Sequence, residues 1–368
     1  MLRKVLLVFL YVFIPLAAVA FAYSAVERIF LEPANPADSR LVLVDFSTEK
    51  SLKALASELE AKGLVRTSLS LRVIARLKKQ DTLLKAGEYE LSASMTPEQI
   101  LEKLARGDMV LHRFTVKEGM RASEIGPLVE AAGITSRAEV EAALADSSLI
   151  SELGVPAGSF EGYLFPETYS FPRGTPGRKV IAAMKQQFDA KWKPEWDARA
   201  KGLGRSKHEI VTLASIVEKE SGSVDEQPKI AGVFFNRLRL GMKLQADPTV
   251  IYGITNFNGN ITKDDLLRPT PYNTYVIPGL PPGPIANPGL SALTAALFPE
   301  QSTYLYFVGN GAGRHIFSTN LGDHNNAVNQ FQRGGSGSSQ SAQPANPEPQ
   351  PTLADAQPAE PPATPAAQ

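Results

Sequence analysis

His208-Glu209-Ile210-Val211-Thr212-Leu213-Ala214-Ser215-Ile216-Val217-Glu218-Lys219-Glu220-Ser221 is the stretch that organises the reading of this chain. Counting about 100° per residue from Ile210, the side chains of Ile210, Leu213, Ala214 and Val217 fall within a sector of about 100°, which predicts an amphipathic helix with one buried face. Its two terminal carboxylates diverge. Glu220 falls near ~280°, between Ile216 and Leu213, and Glu218 near ~80°, beside Val211 and Ala214, so they do not serve one point of chemistry. Apolar flanks penalise the ionised form of Glu220, and the negative end of the helix dipole acts in the same direction. Glu220 is therefore the candidate general acid. Glu218, with Ser215 and Lys219 nearby, reads as a hydrogen-bonding partner. For a generic Glu-Lys-Glu the alternative is an ordinary solvated helix end.

Downstream come Phe234-Phe235-Asn236-Arg237-Leu238 and the run Leu244-Gln245-Ala246-Asp247-Pro248-Thr249-Val250-Ile251-Tyr252-Gly253. Pro271-Tyr272-Asn273-Thr274-Tyr275 and Gly279 to Gly289, rich in Pro and Gly, follow. Polar side chains and rigid backbone alternate here with aromatics, the makings of a long groove that hydrogen-bonds and stacks a polymer.

Upstream, Phe160 to Tyr169 packs four aromatics into ten residues with two carboxylates. It is either core or a wall that stacks on sugar rings, with core the safer reading. A long helix is expected from Arg178 to Ala198, with Ile181, Met184, Phe188 and Trp192 as a packing stripe. Between Leu41 and Ile134 short strands alternate with helices. Leu41 to Phe46 precedes a helix over Leu52 to Lys62. Gly87 to Leu91 precedes a helix opened by Thr96, Pro97 and Gln99, a capping hydroxyl, a first-turn proline and an amide three residues on, and stopped at Gly107. His112 to Val116 then leads through Glu118-Gly119-Met120 to a helix over Ser123 to Ala132. This repetition predicts a compact α+β module, either a spacer or a carbohydrate-binding unit.

The ends set the setting. Arg3 and Lys4 precede Val5 to Val26, 22 residues without a charge, enough to span a bilayer core as a helix. The positive pair is expected on the cytoplasmic side and the rest beyond the membrane. An uncleaved anchor is the favoured reading. A cleaved signal peptide is the other, since Ala18-Val19-Ala20 and Ala20-Phe21-Ala22 have the small-x-small form. Gly334 to Gln368, Gly/Ser-rich and then Pro/Ala/Gln-rich, is expected to be a disordered tail.

Composition excludes whole classes. With 368 residues two or three folded units are expected. The 38 basic and 38 acidic residues balance, leaving no electrostatic footprint for nucleic acid. No cysteine is present, so disulfide scaffolds, cysteine-ligated metals and thiol catalysis drop out. The histidines, His112, His208, His315 and His324, match no zinc spacing, and neither a metal nor a cofactor is expected. A serine hydrolase lacks its Gly-x-Ser-x-Gly elbow. A non-catalytic scaffold that binds the same polymer and recruits partners is the rival from another class.

Ala214 to Glu220, the three later motifs, Leu305-Tyr306-Phe307-Val308 and His315-Ile316-Phe317-Ser318 together resemble the MltG (YceG-like) endolytic murein transglycosylases over about Leu41 to Gln330. The resemblance implies an α+β fold: a membrane anchor in residues 1–28, a LysM-like subdomain in 41–134 and a catalytic domain in 150–330 with lysozyme-like helical character around the acid. The 334–368 tail departs from the pattern. The resemblance further implies cleavage of MurNAc-GlcNAc bonds within nascent glycan strands to leave 1,6-anhydroMurNAc ends, terminating elongation. The setting implied is the periplasmic face of the inner membrane, with penicillin-binding synthases as further partners.

The family's catalytic glutamate maps to the Glu-Lys-Glu segment. Glu220 is assigned, its following Ser221 resembling the Glu-Ser pair of other lytic transglycosylases, with Glu218 as second choice. Asn236, Gln245, Tyr272 and Asn273 would meet acetamido and hydroxyl groups, and Tyr252 or Tyr275 would stack on a ring. Asp247 is either a turn residue, the favoured role, or a stabiliser of oxocarbenium charge. Arg237 meets either a peptide-stem carboxylate or an internal ion-pair partner.

Overall fold

The computed structural model describes residues 9–46 and 50–333; Arg3, Lys4 and the 334–368 tail lie outside them. Helix α1, Ile14–Phe30, buries none of its side chains. The stretch Leu10–Phe30, 21 residues, is long and apolar enough to cross a membrane by length and composition.

The chain divides into two compact units. The first runs to Arg113 and includes Ser170–Thr175; the second comprises Phe114–Tyr169 and the chain from Pro176. Residues 114–134, grouped by the sequence with the preceding strands and helices, thus fall in the second unit.

The first unit contains β1 (Val42–Phe46), α2 (Leu52–Ala61), α3 (Ser68–Leu77), β2 (Gly87–Leu91) and α4 (Pro97–Arg106). β1 and β2 pair antiparallel, Val42 facing Leu91 and Phe46 facing Gly87. Val44, Leu55, Leu71, Tyr89 and Leu101 fill the core. The expected capping box opens α4: Thr96 Oγ1 accepts from Gln99 N at 3.2 Å and Gln99 Oε1 from Thr96 N at 2.9 Å. Gly107, at φ 79°, closes it in the left-handed conformation that only glycine adopts cheaply. α3 was not read from the sequence, although Leu71, Ile74 and Ala75 stand at helical spacing and are buried.

From β3 (His112–Thr115) the chain passes through α5 (Ile125–Ala131), α6 (Arg137–Leu144) and α7 (Ser147–Glu152), all three in the second unit, to β4 (Thr168–Phe171). Val116 N donates to Glu167 O at 3.0 Å. The expected helix over Arg178 to Ala198 is two, α8 (Gly177–Lys191) and α9 (Pro194–Gly202). Pro194 explains the break: it lacks an N–H, and the residue before it is driven out of helical geometry. Ile181, Met184, Phe188 and Trp192 are buried as expected.

α10 (Lys207–Glu220) starts at a capping box between Ser206 and Glu209. Its burial is broader than the predicted single face, for every residue from Ile210 to Val217 is buried. The cause is its neighbours: α9, α11 (Gln227–Arg239), α12 (Asp247–Tyr252) and α14 (Leu290–Leu297) all pack on it. A helix enclosed this way has no solvent face until its ends. Between α12 and α14 the chain forms α13 (Lys263–Leu267), and it finishes with β5 (Tyr306–Gly309), β6 (His315–Ser318) and α15 (Leu321–Val328). β5 and β6 pair antiparallel with Tyr306 opposite Ser318.

Phe160, Tyr163, Leu164, Phe165 and Tyr169 are buried, so the aromatic segment is core. Within it, Gly162 has φ +84°, and a Cβ there would lie 2.4 Å from Pro284. Only glycine lets the two segments meet.

Candidate active site

Glu220 is the last residue of α10. It keeps partial solvent exposure while being crowded by protein on the remaining sides, and this burial, reinforced by the charge of Asp247 and opposed by Arg237, pushes its carboxyl up to about 8. No hydrogen bond reaches that carboxyl among the described residues. At neutral pH it is a proton-carrying acid. Ser221, next in line, receives a hydrogen bond from Gln227 Nε2 at 3.1 Å.

Asp247 opens α12 ahead of Pro248, so the turn role and a charge beside Glu220 coexist. Its carboxyl is raised by burial, while the Tyr275 hydroxyl, donating to Oδ1 at 2.6 Å, works the other way. Placement at a helix start also favours its anion. Burial thus raises both acids, and Glu220 is pushed further by the charge of Asp247. The preceding Gln245 is left-handed at φ 49°, an uncommon state for a residue with a Cβ. It is held by its N–H to Thr274 O at 3.1 Å and by Ala246 N to Thr274 Oγ1 at 3.0 Å.

Arg237 lies close enough to Glu220 for their charges to interact, and its guanidinium is held by backbone carbonyls. Its Nε donates to Leu305 O and Nη1 to Leu244 O, each at 2.7 Å. The guanidinium sits 5.3 Å from the Tyr306 ring centroid. Buried this way, it fastens the 244 and 305 segments around the acid and supplies a fixed positive charge.

Glu218 faces elsewhere. Its Oε2 accepts from Gly289 N at 2.9 Å, and burial raises its carboxyl. Asn236 and Asn273 direct their amides inward: Asn236 Nδ2 donates to Ser302 O and Tyr304 O at 2.8 and 3.0 Å, and Asn273 Nδ2 to Leu266 O and Arg268 O at 3.0 and 2.8 Å. Both shape loops. Tyr252 and Tyr272 form a separate half-buried pair with ring centroids 4.7 Å apart. The structure therefore gathers Glu220, Arg237, Asp247 and Tyr275 at one place and Tyr252 and Tyr272 at another.

Three residues had no distinguishing sequence signal. Ser215 Oγ accepts from Ile285 N at 3.0 Å. Asn287 Oδ1 accepts from Gly162 N and Leu164 N, both at 3.0 Å. Glu161, one of the two carboxylates in the aromatic segment, is 7% exposed.

The profile of the YceG-like family matches residues 44–330. The chain belongs to the YceG-like family. Among curated relatives, it is 32% identical over 328 residues to the endolytic murein transglycosylase of Bacillus subtilis (strain 168), covering 85% of this chain and 90% of that protein. It is 30% identical over 330 residues to the endolytic murein transglycosylase of Streptococcus pneumoniae serotype 2 (strain D39), covering 81% of this chain and 60% of that longer protein. Among solved structures, a YceG-like protein from Listeria monocytogenes superposes with a TM-score of 0.54 at 32% identity, over 78% of this chain and 98% of that one. The YceG-like match contains the whole cluster around Glu220.

Proposed function

We propose that this YceG-like chain is a lytic transglycosylase that cuts MurNAc-GlcNAc bonds within peptidoglycan strands, with Glu220 as its acid and base. The observation that carries the reading is the state of Glu220: raised to about 8 at the end of a helix, partly exposed as a residue, and free of hydrogen bonds among the described residues. The curated relatives named endolytic murein transglycosylase support it.

Glu220 gives its proton to the glycosidic oxygen as the bond to the muramic C1 breaks. The resulting carboxylate takes the proton of the muramic C6 hydroxyl, whose oxygen closes on C1 to form the 1,6-anhydro ring. The acid ends as it began. A hydrolase brings a second carboxylate to activate water or attack C1. Here the nucleophile is tethered in the substrate, and held geometry supplies its effective concentration. Asp247, engaged by Tyr275, stabilises oxocarbenium charge in place of activating water. Gln245 and Tyr275 border the acid, and Tyr252 and Tyr272 line the adjoining groove. Asn236, Arg237 and Asn273 act as its framework.

The first unit, with two helices between antiparallel strands in the order β1-α2-α3-β2, is read as the LysM-like module. The enclosed helix ending in a glutamate supports reading the second as lysozyme-like in its helical character. The Leu10–Phe30 helix is read as a single-pass anchor in the inner membrane, with both units periplasmic and synthases as neighbours. A scaffold without catalysis gives no role to a raised, unbonded acid.

The test is digestion of purified glycan strands followed by mass spectrometry of the fragments. Anhydro-ended fragments are expected from the wild type and none from Glu220→Gln. Equal release by both would contradict the assignment.

A further inference from the structure

Glu161 is a second buried acid that the reaction above does not use. It is 7% exposed, and its Oε1 accepts from Ala122 N at 3.0 Å while Oε2 accepts from the Tyr252 hydroxyl at 3.3 Å. No basic side chain comes within ion-pair distance of it among the described residues. The nearest cation, Arg121, instead lies over the Tyr252 ring, 5.0 Å from its centroid. A buried carboxylate without a cation is costly, and an acid kept only for structure is usually paired.

The charged and titratable groups facing Glu161 are Arg121 and Glu124 from the start of the α5 segment, Tyr252 from α12, and Tyr272. Burial dominates among them and pushes Glu161 up to about 7. The Tyr272 ring lies 4.7 Å from that of Tyr252, tilted by 51°. Tyr252 ends the helix that Asp247 begins. At ~1.5 Å per residue the two ends of that helix lie roughly one sugar's length apart.

We propose that Glu161 is a positioning residue that sets the direction of the Tyr252 hydroxyl toward a bound sugar. Protonated, Glu161 donates to Tyr252 Oη, and the phenolic hydrogen turns outward to an acetamido carbonyl of the glycan. Ionised, it takes that hydrogen and presents the sugar with an oxygen lone pair in place of a donor. Ala122 N bonds Oε1 in both states. The inference rests on the glycan reading of the groove.

Binding in a Glu220→Gln background tests it, since that substitution removes turnover and the titration of the catalytic acid. Calorimetric titration of the full-length protein with peptide-free glycan fragments is expected to show affinity falling about three- to tenfold between ~pH 6 and ~pH 8, the worth of one neutral hydrogen bond. Adding Glu161→Gln keeps an oxygen for Ala122 N and an N–H for Tyr252, so affinity is expected to stay at the tighter value at both pH values. Every other ionisable group is common to the two proteins. Equal pH dependence in both, or no glycan binding at either pH, would overturn the proposal. Should the glutamine variant not fold, Tyr252→Phe replaces it: weak binding at both pH values is expected, and a retained pH dependence overturns the idea. Wild-type protein that releases no anhydro ends, in the presence of this pH-linked binding, would refute the proposed reaction and leave the Glu161 assignment standing.

Discussion

Glu218 and Glu220 stand two residues apart on α10 and face different surroundings. Glu218 accepts from the backbone of Gly289 at 2.9 Å, whereas Glu220 is flanked electrostatically by Asp247 and Arg237 and takes no hydrogen bond among the described residues. One acid is engaged in holding a loop; the other is available. Glu220→Gln should lower turnover on glycan strands by about 10² to 10⁴-fold, the usual worth of a positioned acid. Glu218→Gln keeps an oxygen for Gly289 and should retain most of the activity. Rates of fragment release from the two variants check both statements.

The charge of Asp247 should be visible in the pH profile. Since the reaction needs Glu220 protonated, kcat/KM should fall as pH rises through about 8. Asp247→Asn removes an anion that raises Glu220, so the alkaline limb should move to lower pH. A limb that stays in place would show that burial alone holds the proton.

Stability should follow the same acid. Its folded value of about 8 exceeds its ordinary 4.5, so between these values the folded chain holds a proton that the unfolded chain has released. Stability is then full below the lower value and declines as pH rises through the upper one. Glu220→Gln cannot ionise and should melt above the wild type by a margin that grows from acid pH to about pH 8. Thermal melts across that range measure it.

Arg237→Met should destabilise the second unit. It removes the donors of the buried Leu305 and Leu244 carbonyls, and each unsatisfied group costs about 1–3 kcal/mol. The expected result is a clear drop in Tm, with loss of activity following from the loosened segments.

The chain's local signals carried the elements: the Thr96–Gln99 capping box, the Gly107 stop and the end of α10 at Glu220 all stand where spacing put them. Long-range packing was not legible. Nothing in residues 208–221 reveals that four helices enclose them, so α10 read as half-exposed when its middle is buried all round. The break between α8 and α9 was signalled by Pro194 but masked by a continuous apolar stripe through Trp192. At the site, the divergence of the two glutamates followed from a helical wheel. The inward use of Asn236, Arg237 and Asn273 did not, because an amide that bonds a backbone carbonyl and one that bonds a sugar are the same residue type in a sequence.

The reaction itself is decided by the oxygen at the cleaved anomeric carbon. Digestion of purified glycan strands in oxygen-18 water, with the fragments weighed by mass spectrometry, should give ends one water lighter than reducing sugars and no label at C1. Heavy oxygen at C1 of the primary products would make Asp247 a water-activating base and the protein a hydrolase, contradicting the account.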